Sequence, residues 1–586
     1  MHCLSFWVYK LENASRRLRY YLTPNPSLDA TYWQQQGGGQ VRVLSPALPL
    51  ARAEALCNDL QRASGNPRQE AQLVARAWQS VGQAGVIADD PVQPLAKWEG
   101  QAEAAHLYRL LAGRILLLAE VEQAVITSRL FLSYPLPDLL HYLYLEGKLQ
   151  CRPAVGEQPK HRCLRCGSYD LQPTTCLECG TAQAWSCQTC GSMGQAKSCT
   201  PLYACAATTP AQPWAVTLNL PSGLTGPQAR AAQQLQQFLQ QDRQTACLFW
   251  AVCGAGKTEA TLPAVQQVLN MGGRVLWASP RRDLVVELAP RLQAALPGIK
   301  VAALHGQARE RFTNAPVVIA TTHQALRLFA AFDLVILDEV DAFPYADNPM
   351  LELAVLRALR PGGKLVYLTA TPAAKLLQQV KRGQVRQVLL PVRWHGHPLP
   401  EPAIHLLRLP RAEQPNWAVP NLLARLLTDS LERDLCQVLI YVPSVHLAEQ
   451  VGRGLQAHFA RQDLPDWVEY IHAADGQRDV KRARFFAGEF PILVTTTLLE
   501  RGITLPRVHV YVLYADRSQI FSEPVLMQIA GRAGRAAEYP IGKVYFLAER
   551  RSPEMASACR QIQTLNKAAQ QIAAAAQKEE KQHVEN

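Results

Sequence analysis

The chain has 586 residues, 48% of them hydrophobic, and 60 Lys and Arg against 48 Asp and Glu give it a formal charge of +12. That length supports several domains with substantial cores, and the positive balance points to a polyanionic partner. No apolar run approaches the roughly 20 residues that cross a bilayer, and Phe6 to Tyr9 is followed rather than preceded by basic residues, so neither an integral membrane segment nor a secretory leader is expected.

Residues 1–150 carry no chemical motif. Their second half is helical in pattern, with Leu107 to Val125 placing apolar residues at three- and four-residue spacing. Asp138 to Pro153 reads as part of a plain helical subdomain, or else as a helix followed by a short hairpin of winged-helix type. Eight of the fifteen cysteines then fall between Cys163 and Cys205. Cys163 and Cys166, Cys176 and Cys179, and Cys187 and Cys190 form three C-x2-C knuckles, each able to supply two thiolates of a tetrahedral zinc site. With Cys199 and Cys205 the thiolates suffice for two four-cysteine sites; alternatively the six serve one site with spare ligands. The first knuckle could join the second or, interleaved, the third. A tetrathiolate site leaves no open coordination position, so this module is expected to be structural, with the metal supplying most of its folding energy.

From about Pro221 short apolar strands alternate with amphipathic helices, the pattern of parallel β-α-β units. Strands are predicted at Thr245–Val252, Arg274–Ser279, Val317–Thr321, Leu334–Asp338 and Lys364–Thr369. The first runs into Ala251-Val252-Cys253-Gly254-Ala255-Gly256-Lys257-Thr258, a glycine-rich turn before a helix. That arrangement wraps backbone amides around phosphate, with Lys257 reaching the terminal phosphates and Thr258 placed for magnesium. Ala251 stands where the usual pattern has its first glycine, and Cys253 reads as a packing residue. The strand ending at Asp338 leads into Asp338-Glu339-Val340-Asp341, where Asp338 can hold magnesium and Glu339 can orient or deprotonate the attacking water. Both segments end strands, where parallel sheets bind their ligands.

Pro391 to Pro402 is punctuated by prolines and reads as a linker. A second series comes after it, with strands predicted at Val438–Val442, Ile492–Thr496, Val508–Tyr514 and Lys543–Leu547. Within that series, Gln528-Ile529-Ala530-Gly531-Arg532-Ala533-Gly534-Arg535 presents two arginines three apart, on one face if the segment is helical. Guanidinium groups stabilise the charge that spreads over a transferring phosphoryl group.

Taken in order, Gln228 after Leu224-Thr225, the loop ending at Thr258, Ser279-Pro280-Arg281, Thr321-Thr322-His323-Gln324, Asp338 to Asp341, Thr369-Ala370-Thr371, Thr495 to Gly502 and Gln528 to Arg535 resemble the motif set of a superfamily 2 helicase-type motor from Leu224 to Leu547. A cysteine module immediately ahead of the motor resembles the ComFA family, late competence ATPases that are similar to DEAD-box helicases and help bring transforming single-stranded DNA into Gram-positive bacteria. Trp250 to Glu259 and the stretches Gly191-Ser192-Met193-Gly194 and Pro201-Leu202-Tyr203 also look like that family's. The primosomal replication-restart helicase shares a similar motor and eight cysteines, but there the zinc module interrupts the motor after its first lobe.

The resemblance implies two tandem RecA-like α/β lobes with parallel sheets, preceded by a cysteine-rich zinc module and a mainly helical N-terminal region. The implied division is 1–150, a zinc module at 151–210, lobe 1 at 211–390, a linker at 391–402, lobe 2 at 403–555 and a polar helical tail at 556–586. By the same resemblance Gln228 reads adenine, and Gly254, Gly256, Lys257 and Thr258 hold phosphates and magnesium. Asp338 binds magnesium through water and Glu339 is the base. Thr369 and Thr371 couple hydrolysis to lobe movement. Gly502 packs near the ribose, Gln528, Arg532 and Arg535 contact the triphosphate, and Arg281, Thr322 and Thr496 contact the nucleic acid backbone. ATP, Mg2+ and Zn2+ are the implied cofactors. Implied partners are single-stranded DNA, the phosphoribosyltransferase-like protein of the comF operon and the membrane DNA channel, with the chain cytoplasmic or peripheral on the inner face of the membrane. Two further readings are an ATP-switched nucleic-acid-binding regulator and a scaffold on which the motor is secondary.

Overall fold

The computed structural model describes residues 3–12, 19–82, 90–156, 161–207, 213–241, 243–308, 311–410, 417–472, 474–496 and 506–584. The chain folds into two compact units. The first holds Met1–Thr217, Val268–Leu337 and Ala342–Leu365; the second holds Leu218–Gln267, Asp338–Asp341 and Val366–Asn586.

The first unit opens on an antiparallel sheet where the sequence pattern predicts no strands. Ser5–Glu12 runs between Arg19–Thr23 and Gln40–Val43, and its start also pairs with Leu48–Pro49. One face carries Phe6 and Val8, which pack with Leu22 against Leu50, Leu56, Leu60 and Val74 of the helices Leu50–Arg62 and Pro67–Gln79. The opposite face carries Tyr9 and Leu11, which pack with Ala30 and Val41, so the strand is covered on both sides. The helical run expected over Leu107–Val125 is broken: helices Gln101–Leu111 and Leu118–Thr127 flank a strand, Arg114–Leu117. That strand and Gln150–Pro153 both pair antiparallel with Pro201–Cys205 between them. The helix expected near Asp138 is Leu136–Leu145. The strand after it, Gln150–Pro153, takes its partner from Pro201–Cys205 on the far side of the cysteine module rather than from a local hairpin, so distant pairing overrides the local pattern.

The motor region contains two sheets. The seven-stranded sheet has the order Val301–Leu304, Val317–Thr321, Val275–Ser279, Phe332–Asp338, Leu359–Thr369, Ala246–Ala251, Arg386–Leu390. The six-stranded sheet has the order Ala403–Leu406, Val544–Ala548, Val508–Leu513, Gln437–Tyr441, Ile492–Thr495, Val468–Ile471, with every neighbouring pair parallel. All nine predicted strands are present, with ends that differ by no more than five residues. The four that were not placed, Val301–Leu304, Arg386–Leu390, Ala403–Leu406 and Val468–Ile471, are the four sheet edges. The last long helix is Pro553–Val584. No helix among the described residues is long and apolar enough to cross a membrane.

Candidate functional site

The helix Lys257–Asn270 begins directly after the strand Ala246–Ala251 and its glycine-rich turn, so the N-terminal end of the helix follows the loop. Gly256 sits at φ +73°, and a side chain there would collide with the Gln228 amide, so both conformation and space require glycine. Gln228 is buried and accepts from the Thr225 amide at 2.9 Å while donating to the Ala255 carbonyl at 2.9 Å. It is thus bonded into the phosphate loop itself, with one N–H and one lone pair left for a base edge.

Lys257 Nζ lies 3.3 Å from Asp338 Oδ1. Burial alone would lower the lysine pKa, but Asp338, then Glu339, outweigh it and raise it, so the ammonium is held charged. Asp338 Oδ1 also accepts from the Glu339 amide at 2.9 Å. Glu339 takes φ +55°, a left-handed conformation uncommon outside glycine that turns the chain sharply as it leaves the sheet. The donor set suits a magnesium–triphosphate: helix amides, Lys257 and Thr258 for phosphate oxygens, and a hard carboxylate, Asp338, for the cation.

Asp341 organises the next layer, a role its place in the acidic run does not reveal. Its Oδ1 accepts from Thr369 Oγ1 at 2.7 Å, and its Oδ2 accepts from Thr371 Oγ1 at 2.8 Å and Gln528 Nε2 at 2.6 Å. Gln528 Nε2 also lies 3.1 Å from Thr371 Oγ1. The glutamine that heads the arginine segment is therefore bonded to the acidic box and to the Thr-Ala-Thr turn. Its Oε1 is buried without a hydrogen-bond partner among the described residues. That orphaned acceptor is the cost of holding a polar side chain ready in a desolvated place.

The arginine segment itself differs from expectation. The helix Glu523–Ala530 ends before Gly531, and Arg532 lies in the turn that follows with Arg535 just beyond it, rather than both on one helical face. Gly531 is needed for space rather than for backbone conformation: a side chain at that position would overlap Cys253 of the phosphate loop, so only glycine permits the close approach. Cys253 is accordingly a packing residue. Arg532 is buried, and burial, then the neighbouring Arg535, bring its pKa down to about 10, which keeps it protonated at neutral pH. Arg535 Nε donates to the Gly531 carbonyl at 3.2 Å.

Among the nucleic-acid candidates, Arg281 stands directly before the helix Arg282–Ala295, without a side-chain capping bond, and is half-buried. Thr322 is fully buried, donates its amide to the Ser279 carbonyl at 2.9 Å and has no partner for its hydroxyl among the described residues. Thr496 comes directly after the strand Ile492–Thr495 and is half-buried. Gly502 lies outside the described residues.

The knuckles resolve into an interleaved pattern. Cys163 and Cys166 join Cys187 and Cys190, with Sγ atoms 3.8 Å (Cys163 to Cys190) and 3.5 Å (Cys166 to Cys187) apart. A tetrahedral site with Zn–S bonds of about 2.3 Å needs sulfurs about 3.8 Å apart, so these four thiolates fit zinc. Cys176 and Cys179 meet Cys199 and Cys3. Cys205 belongs to neither group; its thiol faces the Lys148 carbonyl at 3.4 Å. Within the same unit, Arg165 of the first knuckle and Arg327 both donate to Glu120 Oε1, at 2.7 and 2.6 Å, and Arg357 donates to the Arg165 carbonyl at 2.6 Å. Arg327 also donates to Gln324 of the Thr-Thr-His-Gln segment at 2.7 Å, so the module is linked to that segment through Glu120 and Arg327. Chelating the metal should unfold residues 160–206, seen as fast amide exchange there, while ATP binding persists; metal ligation in such modules is worth on the order of 10 kcal/mol.

Known protein families match the same stretches of chain. The DEAD/DEAH box helicase family matches residues 226–380, the helicase conserved C-terminal domain residues 418–537, and the competence protein ComFA N-terminal domain residues 101–204. Competence protein ComFA of Bacillus subtilis (strain 168) is 35% identical over 413 residues, which cover 70% of this chain and 87% of that protein. Its namesake from Streptococcus pneumoniae (strain ATCC BAA-255 / R6) is 37% identical over 348 residues, 59% of this chain and 78% of that one. A structure of the Mycobacterium smegmatis helicase Lhr bound to ssDNA and AMP-PNP aligns at 20% identity with a TM-score of 0.44, covering 59% of this chain and 48% of that one. The paired helicase domains mark a nucleotide-dependent ATPase of superfamily 2. At the identity and coverage of its Bacillus relative, this chain belongs to the competence protein ComFA family.

Proposed function

We propose that this protein is an ATP-driven motor that moves on single-stranded DNA and serves the uptake of transforming DNA. The observation that carries the reading is the Asp341 junction. One carboxylate binds both threonines of the Thr369-Ala370-Thr371 turn and the glutamine that heads the arginine segment. A change in charge beside Asp338 and Glu339 then alters a hydrogen-bonded chain that ends in the second lobe, which is what conversion of hydrolysis into movement requires.

In this reading Gly254, Gly256, Lys257 and Thr258 hold the phosphates and Asp338 holds magnesium. Glu339 activates water, Gln228 reads adenine, and Gln528, Arg532 and Arg535 act from the second lobe. Gly502 is assigned to the ribose by family resemblance. Arg281 and Thr496 are the strand contacts, joined by Thr322 if strand binding uncovers its hydroxyl. The division proposed is an N-terminal region to 150, a zinc module to 210, lobe 1 to 390, a linker to 402, lobe 2 to 555 and a tail. The protein works in the cytoplasm or on the inner membrane face, beside the DNA channel and the phosphoribosyltransferase-like partner.

ATP hydrolysis by the purified chain, measured with single-stranded DNA, duplex DNA and RNA, tests this. We expect single-stranded DNA to raise kcat by an order of magnitude or more, with affinity falling steeply as salt rises because binding runs through phosphates. Equal rates with and without DNA, or activation by RNA alone, would refute the assignment.

A further inference from the structure

Cys3 stands two residues before the strand Ser5–Glu12, yet its Sγ lies 3.6 Å from Cys176 Sγ and 3.6 Å from Cys199 Sγ. With Cys179 these four sulfurs all fall within 4.8 Å of one another. The separations are far beyond a disulfide bond of about 2.05 Å and close to the roughly 3.8 Å between sulfurs sharing a tetrahedral zinc ion. All four cysteines are free thiols, and Cys176 and Cys199 are buried.

The surroundings give a second, independent reason for a metal. The core at this spot consists of Cys176, Ala184 and Cys199, with Cys3 and Cys179 packed against it. Three small buried residues remove too little apolar surface from water to order a loop and the segment that holds Cys3 by themselves. A cluster of thiols at such a place, without large apolar neighbours, is stable when a cation draws the sulfurs together.

Topology shows what the site would join. The strands Leu171–Thr174 and Ala184–Cys187 form an antiparallel hairpin, with Cys187 opposite Leu171 and Ala184 opposite Thr174. The first four-cysteine group gathers at the Cys187 end. Cys176 and Cys179 occupy the turn beyond Thr174, at the other end, about 10 Å away along a four-residue strand. Cys199 reaches that turn from the segment after the hairpin, and Cys3 reaches it from 173 residues upstream of Cys176.

We propose that Cys3, Cys176, Cys179 and Cys199 form a second tetrathiolate zinc site, which pins the first strand of the N-terminal sheet to the tip of the cysteine hairpin. The hairpin is then clamped at both ends, and attachment of the N-terminal sheet depends on metal. Loss of the segment that carries Cys3 would lower zinc content, which is unexpected for a module beginning at Cys163.

Zinc per chain, measured by elemental analysis of the purified protein with the segment around Cys3 intact, tests the proposal together with cobalt-substituted spectra. We expect two metals in the wild type and in Cys205→Ser, and one in Cys3→Ser, with the thiolate-to-cobalt charge-transfer band near half intensity. Cys3→His replaces one ligand by another, so it should keep two metals and shift the cobalt d–d bands to higher energy; this variant separates ligation from misfolding. One zinc in the wild type would overturn the proposal. So would two zincs in Cys3→Ser with an unchanged cobalt spectrum, since Cys3 would then not be a ligand. ATP turnover enters neither readout, so the site can fail while the motor assignment stands.

Discussion

Lys257→Ala should lower kcat for ATP hydrolysis by at least about 10³-fold, to the limit of detection. Removing one preorganised donor to developing charge typically costs about 10²–10³ in rate, and here the group lost is a full positive charge. The structure adds a reason for a large effect. Lys257 is the cation held at Asp338, and its loss leaves Asp338 and Glu339 side by side without it. Two neighbouring carboxylates without a cation repel each other and the triphosphate alike. Glu339→Gln separates binding from chemistry: it keeps the shape of the turn, removes the base, and should bind ATP with near-normal affinity while turning over about 10²–10⁴-fold more slowly. The measurements are steady-state hydrolysis and binding of a fluorescent nucleotide. Lys257→Ala with more than a tenth of wild-type turnover would remove the phosphate assignment of this loop.

Legibility of the fold tracked burial. Val275–Ser279 and Val317–Thr321 lie inside the seven-stranded sheet and are buried at every residue, so they read as continuous apolar runs. The edge strand Ala403–Leu406 has no buried residue and Val468–Ile471 only its two ends, and they mix His405, Glu469 and Tyr470 with aliphatic residues, which matches neither a helix nor a core strand. The phosphate loop, the acidic box and the arginine segment were legible because each is a local run at the end of a strand or helix. Cys3 was not, because its partners lie 173 and 196 residues away and no spacing rule spans that distance. The junction at Asp341 was hidden for the same reason, since Gln528 is 187 residues from it. Sequence supplied the parts of the site; folding decides which of them touch.

Arg535→Ala should lower kcat by about 10³-fold or more with little change in KM, the usual loss for an arginine that stabilises phosphoryl transfer. A second arginine, in the segment read as a bare linker, should produce a smaller loss of the same kind. Arg393 is 1% exposed and donates to the Ala533 carbonyl at 2.9 Å. Its neighbours extend the pattern: His395 Nε2 meets the Gly534 carbonyl at 3.2 Å, and Trp394 Nε1 donates to the Arg535 carbonyl at 3.3 Å. The Trp394 amide donates to the Gly254 carbonyl at 3.0 Å. Three consecutive carbonyls of the arginine turn and one of the phosphate loop are thus held by three consecutive residues of the linker. Misplacing a catalytic group by about 1 Å can cost about 10²-fold, so Arg393→Ala should reduce kcat roughly 10- to 100-fold although Arg535 is intact. Arg393→Lys should not restore it, because an ammonium cannot reproduce a planar, forked donor in a buried place. The comparison that decides is kcat against thermal stability. If Arg393→Ala melts several degrees lower but hydrolyses ATP at the wild-type rate, Arg393 serves packing alone, and the arginine turn is positioned without its help.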